Sequence, residues 1–168
     1  MASEFTSVPG PAAVPPPARA REILAISFTS AGAQTAEMWL KQSDPRIPRR
    51  HIRLDQADSR TLADLGDVVR NAKVGVHLLF AGPQAEIYAA RAQALGSGAV
   101  SAEVSLLETD AGERRVYCAH CKATTLTGNT LGATVSCSGC ARELLIYHHF
   151  SRRTASYLGF KANAEEVM

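Results

Sequence analysis

All four cysteines of this 168-residue chain lie between Cys118 and Cys140, in two Cys-x-x-Cys pairs with 15 residues between them. Two thiolates two residues apart on a tight turn present both sulfurs to one ion, and two such turns complete a closed tetrahedral site. The separation falls within the range that reads as a zinc site. Cys118, Cys121, Cys137 and Cys140 are therefore expected to bind structural zinc, with Gly139 supplying the backbone freedom the second turn needs. Two alternatives stay open. Iron in a rubredoxin-like site has nearly the same four-thiolate geometry. Redox or disulfide use would place one Cys-x-x-Cys at a helix start after a strand, whereas both pairs sit among strand-like and turn-like residues. His120, inside the first pair, and His148 and His149, after the second, read as non-ligands because four thiolates fill the shell. A shell so filled has no open position for water, so the metal cannot act as a Lewis acid. Its expected work is to fold about 35 residues that could not bury enough apolar surface alone.

The elements that must position these cysteines are short strands. RRVYC (114–118) and ELLIYHHF (143–150) are strand-like, and Thr, Gly and Asn between the pairs suit a hairpin turn. Beyond them runs HHFSRRTASYLGFKANAEE (148–166), unexpectedly aromatic and basic for a terminus. Arg and Tyr are enriched at protein interfaces, so His149, Phe150, Arg152, Arg153 and Tyr157 are expected to form a docking tail, with Phe160 nearby. The plainer alternative is that these residues pack back on the ribbon.

Upstream, apolar runs of strand length alternate with helical periodicity. EILAISF (22–28) reads as a strand ending in a turn at Thr29–Gly32, and AQTAEMWLKQ (33–42) as a helix. HIRLDQ (51–56) is a second strand, and Asp58 or Ser59 caps a helix whose Leu62, Leu65, Val68 and Val69 share one face. VGVHLLFAG (74–82) is a buried strand, after which Gly82-Pro83 opens a helix with Ile87, Ala90, Ala94 and Leu95 on one stripe. AVSAEVSLLE (99–108) is a fourth strand. The expected fold class is α/β: a small open, mostly parallel Rossmann-like sheet (residues 21–112), then a zinc-ribbon β module with its tail (113–168). Ligands of such sheets sit beyond the carboxyl ends of the strands, here the turns FTSAGAQT (28–35) and FAGPQA (80–85), neither of which contains Gly-x-Gly-x-x-Gly.

Composition narrows the function classes. Residues 1–110 carry 11 Lys/Arg against 12 Asp/Glu, and 111–168 carry 7 against 4. A zinc ion with four thiolates would cancel about two of that C-terminal surplus, which disfavours a nucleic-acid-binding balance. The first 20 residues hold five prolines and are expected to be a disordered tail rather than a signal peptide. No apolar run approaches the ~20 residues of a membrane span. The protein is expected to be cytoplasmic, in a reducing compartment.

Two resemblances extend this reading. LLFAGP and VSLLE resemble the strand-turn-helix and following strand that close the nucleotide-binding domain of ferredoxin reductases, with Ala81 at that family's cysteine and the glycine-rich phosphate loop reduced to Gly32. Tyr117-Cys118-x-x-Cys121-Lys122, then Cys137-x-x-Cys140 with Leu144, then His149-Phe150-Ser151-Arg152-Arg153 and Tyr157-Leu158-Gly159, resemble the small subunit family of dimethylamine monooxygenase. That resemblance implies an accessory, non-catalytic subunit of a bacterial complex. The complex would demethylate a secondary amine to methylamine and formaldehyde, using oxygen and NAD(P)H. It also implies partner subunits that carry haem, flavin and iron–sulfur, while this chain shows no motif for any of them. The alternatives are a nicotinamide-binding subunit of the same complex and a nucleic-acid-binding zinc ribbon.

Overall fold

The computed structural model describes residues 7–9, 14–110 and 112–163. The expected tail over residues 1–20 falls partly on residues 1–6 and 10–13, and the end of the expected docking tail on 164–168; both stretches lie outside the described residues. The chain divides into two compact units, Pro11–Ala111 and a second made of Met1–Gly10 with Gly112–Met168.

The first unit is a four-stranded parallel sheet in the order β2-β1-β3-β4, formed by β1 (Glu22–Phe28), β2 (Arg49–Leu54), β3 (Val76–Gly82) and β4 (Val104–Glu108). Both faces of β1 and β3 are buried, so these strands read as continuous apolar runs rather than alternating ones. On one face Ile23, Ala25, Leu79 and Ala81 pack with Ala36, Trp39 and Leu40 of helix α1 (Thr29–Gln42). Helices α2 (Ser59–Arg70) and α3 (Gln84–Gly96) pack against each other, and α3 also lies on β1, β3 and β4. Asp58 caps α2, accepting the Thr61 amide at 2.8 Å. Ile87, Ala90 and Ala94 are buried along the α3 stripe.

Several boundaries moved, among them β2, expected over 51–56, and β3, expected from 74. The expected turn at Thr29–Gly32 is the first turn of α1, where the Thr29 hydroxyl accepts the Gly32 amide at 3.4 Å while Thr29 itself keeps a left-handed φ of 65°. The expected strand 99–108 begins only at Val104, after a 3₁₀ turn over Ser101–Glu103. Within the Pro-rich stretch, Val14 is held by its carbonyl, which accepts the Trp39 indole N–H at 2.6 Å.

The second unit is a five-stranded sheet in the order β6-β5-β9-β8-β7, from β5 (Arg114–Cys118), β6 (Thr124–Thr127), β7 (Thr134–Ser136), β8 (Glu143–Ser151) and β9 (Ser156–Lys161). Every neighbour pair is antiparallel except β5 with β9, which run parallel. The segment expected as a tail is thus largely strand, and β9 is the central one. One face of the sheet turns Val116, Cys118, Leu144, Ile146 and Tyr157 into the interior. Gly159 belongs there because a Cβ at that position would stand 2.7 Å from Val116 Cγ1 and 3.0 Å from Leu144 Cδ1.

Candidate metal centre

The register of β5 and the end of β7 brings the two cysteine pairs together. The four sulfurs lie within 4.8 Å of one another, with Cys118 Sγ 3.9 Å from Cys140 Sγ and Cys121 Sγ 3.5 Å from Cys137 Sγ. All four are free thiols. Four sulfurs at about 2.3 Å from one ion at tetrahedral angles stand about 3.8 Å apart, and these two separations bracket that figure. A disulfide needs about 2.05 Å. The cluster fits a four-coordinate ion held by thiolates.

The two turns repeat one set of backbone bonds. The Cys118 amide donates to Ala123 O (2.9 Å) and the Lys122 amide to Cys118 O (3.0 Å); the Cys137 amide donates to Arg142 O (2.9 Å) and the Ala141 amide to Cys137 O (2.8 Å). In each turn the residue after the second cysteine is left-handed, Lys122 at φ 68° and Ala141 at φ 56°. That conformation costs a residue with a Cβ roughly 1–2 kcal/mol. The expectation that Gly139 supplies the turn's freedom is therefore corrected. Its φ is not left-handed, and its role is close approach: a Cβ there would lie 2.6 Å from Ala123 Cβ and 3.0 Å from Cys121 Sγ.

The sulfurs differ in acidity. The Gly139 amide, aimed at Cys137 Sγ from 3.4 Å, holds that thiol down to about 6 against the opposing effect of burial. Cys121 is pulled down by the Ala123 amide, yet burial and the crowd of neighbouring sulfurs prevail and push it up to about 12. Without a cation Cys121 therefore retains its proton at neutral pH. A divalent ion bound there releases it.

His120 and His149 are exposed; His148 packs its ring against Tyr147 at 3.9 Å between centroids. None of the three joins the sulfur cluster. Of the five residues expected to dock a partner, Phe150 and Tyr157 are buried, with rings edge-to-face at 4.9 Å on the inner face of the sheet. These rings belong to the interior, because β8–β9 pairing turns them inward, and the Phe150 amide is satisfied by Ser7 Oγ at 2.7 Å. His149, Arg152 and Arg153 are exposed.

The turns expected to bind a ligand on the α/β unit are closed by their own backbone. A Cβ at Gly32 would lie 2.5 Å from Ala81 O, and one at Gly82 2.9 Å from Phe28 O, so the first turn of α1 rests on the end of β3. Two clefts of about 530 and 640 Å³ open instead beside the amino ends of β1 and β3, where both include Arg21 and Val76. Sequence reasoning missed two Ser–His pairs across neighbouring strands, Ser27 Oγ–His51 Nε2 and His77 Nε2–Ser105 Oγ, each at 2.8 Å. Only the parallel register reveals them. Ser27 is fully buried, so the half-buried His51 satisfies its hydroxyl inside the sheet. Burial lowers the pKa of both histidines, with Arg53 adding to the effect at His51.

Comparison with known proteins finds similarity over the stretch that holds the sulfur cluster. Residues 115–160 match the family described as dimethylamine monooxygenase subunit DmmA-like, C-terminal domain. Over 102 residues the chain is 30% identical to the heme-dependent oxidative N-demethylase delta subunit of Ectopseudomonas mendocina (strain ymp), an alignment covering 61% of this chain and 57% of that protein. The chain therefore spans little more than half the length of that relative. No solved structure matches it.

Proposed function

We propose, from the match of residues 115–160 to the DmmA-like C-terminal domain family, that this chain is an accessory subunit of a multi-component N-demethylating oxygenase. The substrate class is a secondary amine such as dimethylamine, and oxygen and NAD(P)H are consumed on partner subunits. Haem and flavin with iron–sulfur belong to those partners. This chain positions or stabilises them in the cytoplasm. Its own metal is zinc, held by Cys118, Cys121, Cys137 and Cys140.

The observation that carries the reading is the sulfur cluster at the heart of the family-matched domain, four thiols within 4.8 Å. Zinc there would supply a rigid tetrahedral cross-link. Around it the chain's residues do the structural work: Gly139 lets the second turn approach the first, and Gly159 lets β9 lie between β5 and β8. The backbone closure at Gly32 and Gly82 supports a role without nicotinamide binding, since a pyrophosphate needs an open glycine-rich turn at that end of the sheet.

Purification of the tagged chain from its native host tests this. Co-purification with a haem subunit and a flavin/iron–sulfur reductase, together with amine-dependent formaldehyde release that drops when the chain is omitted, is the expected result. A chain that purifies alone and leaves demethylation unchanged when omitted overturns the proposal.

A further inference from the structure

The parallel pairing of β5 with β9 does something no linear reading shows. It sets Val116 opposite Tyr157, so the start of β5, with Arg114 and Arg115, lies beside the turn before β9, with Arg152 and Arg153. The backbone of four arginines separated by up to 39 positions is thus placed at one end of the sheet, with Arg115 on the outer face and Arg114 on the face of Val116. Among the described residues none of Arg114, Arg152 and Arg153 forms a salt bridge with a carboxylate. Arg114 instead donates to the Asn129 carbonyl at 3.3 Å.

The same register builds an apolar outer face beside this end. Tyr117 stands opposite Leu158 and Leu145 opposite Phe160, each on the side away from the buried Val116, Ile146 and Tyr157. Tyr147 closes on Phe160 edge-to-face at 5.5 Å. On the neighbouring β6, Leu126 is 52% exposed, and Tyr147 is 38% exposed. Lys122 reaches over the Tyr117 ring, 5.9 Å from its centroid.

We infer that this outer face, with its arginine end, is a docking surface for a protein partner that presents acidic side chains around an apolar centre. The inference rests on the proposed subunit role and names the chemistry of the contact. Charge decides the occupant. The exposed Arg152 and Arg153 carry no carboxylate partner among the described residues, so a second copy docked through the same face would bring arginine onto arginine, whereas an acidic partner neutralises them. Aromatic and Arg anchors with leucines between them suit a protein interface. A polynucleotide would leave Leu126, Leu145 and Leu158 without use.

The test places a photoreactive benzoylphenylalanine at Leu126 or Tyr147 of the full chain in its native host, with Val74 (94% exposed) and Met38 (58% exposed) as control positions. Covalent adducts are isolated and the joined peptides sequenced. Expected are adducts from Leu126 and Tyr147 to one polypeptide, through a segment richer in Asp/Glu than Lys/Arg. The double variant Arg152→Glu/Arg153→Glu should lower their yield by about ten-fold. Its metal content and thermal unfolding, measured alongside, should match the parent. Adducts to a second copy or to nucleic acid, adducts from the control positions alone, or a yield indifferent to the charge reversal overturn the inference. If that variant fails to fold, the salt dependence of the parent's adduct yield replaces it, and yield unaffected by salt overturns the inference. Oxygenase subunits that co-purify but join only through Val74 or Met38 would leave the functional reading standing without this surface. An acidic partner outside any demethylase, joined through Tyr147, would do the reverse.

Discussion

Gly159→Ala is the substitution that most sharply probes how the metal unit is built. The new methyl would sit 2.7 Å from Val116 Cγ1, 3.0 Å from Leu144 Cδ1 and 3.1 Å from the Tyr117 carbonyl. Val116 and Leu144 are fully or almost fully buried, so neither can swing into solvent. Overpacking of this kind costs typically 1–3 kcal/mol. Gly159 O also accepts the Ala119 amide at 3.3 Å, so any retreat of β9 pulls on the first cysteine turn. Val116→Ala alone leaves a void and costs about 2 kcal/mol. Because the two changes contend for one space, the double variant should be less destabilised than their sum, by at least about 1 kcal/mol. Urea unfolding of the zinc-loaded chain, followed by metal release to a chromogenic chelator, reads this unit. The fluorescence of Trp39, the sole tryptophan, reads the α/β unit and should keep its midpoint. A Gly159→Ala variant within about 0.5 kcal/mol of the parent, or strict additivity in the double, would refute the packing argument.

Two further expectations concern the turns and the sheet. Ala141→Gly and Lys122→Gly relieve left-handed backbone at φ 56° and 68°. Each should raise the chelator resistance of the metal unit by up to about 1 kcal/mol, after the entropy of glycine is subtracted; a loss in both contradicts the turn geometry. In the α/β unit, His51 and His77 have folded pKa values below the ordinary 6.5, so the unfolded chain binds protons first. Stability contributed by their neutral forms is complete above pH 6.5 and falls as pH drops below it. Denaturant midpoints read by Trp39 fluorescence at pH 7.5 and 5.5 should differ in that direction, and His77→Gln should shrink the difference.

Much of this architecture is legible in one dimension because its causes are local. Strands such as Glu22–Phe28 and Val76–Gly82 are buried on both faces, and their unbroken apolar runs announce it. The cysteine spacing announces the sulfur cluster because ligand turns are themselves local. What escapes is set by distant pairing. Ser156–Lys161 follows a basic turn and carries two aromatic residues and a glycine, so alone it reads as a docking tail, yet Gly159 is there to admit Val116 and Leu144 from other strands. The same pairing takes Phe150 and Tyr157 inside and gathers Arg114, Arg115, Arg152 and Arg153 at one end. Likewise, the hydroxyls of Ser27 and Ser105 meet imidazoles 24 and 28 residues away, through strand register that no short window contains.

Metal analysis of the purified full-length chain, paired with its visible spectrum, tests the four-sulfur centre most directly. The account predicts one zinc per chain, a spectrum without the bands of iron–thiolate, and loss of the metal in Cys121→Ser and Cys137→Ser alike. Iron in stoichiometric amount, no bound metal, or a β5–β9 unit that keeps its fold with all four cysteines replaced by serine would contradict it.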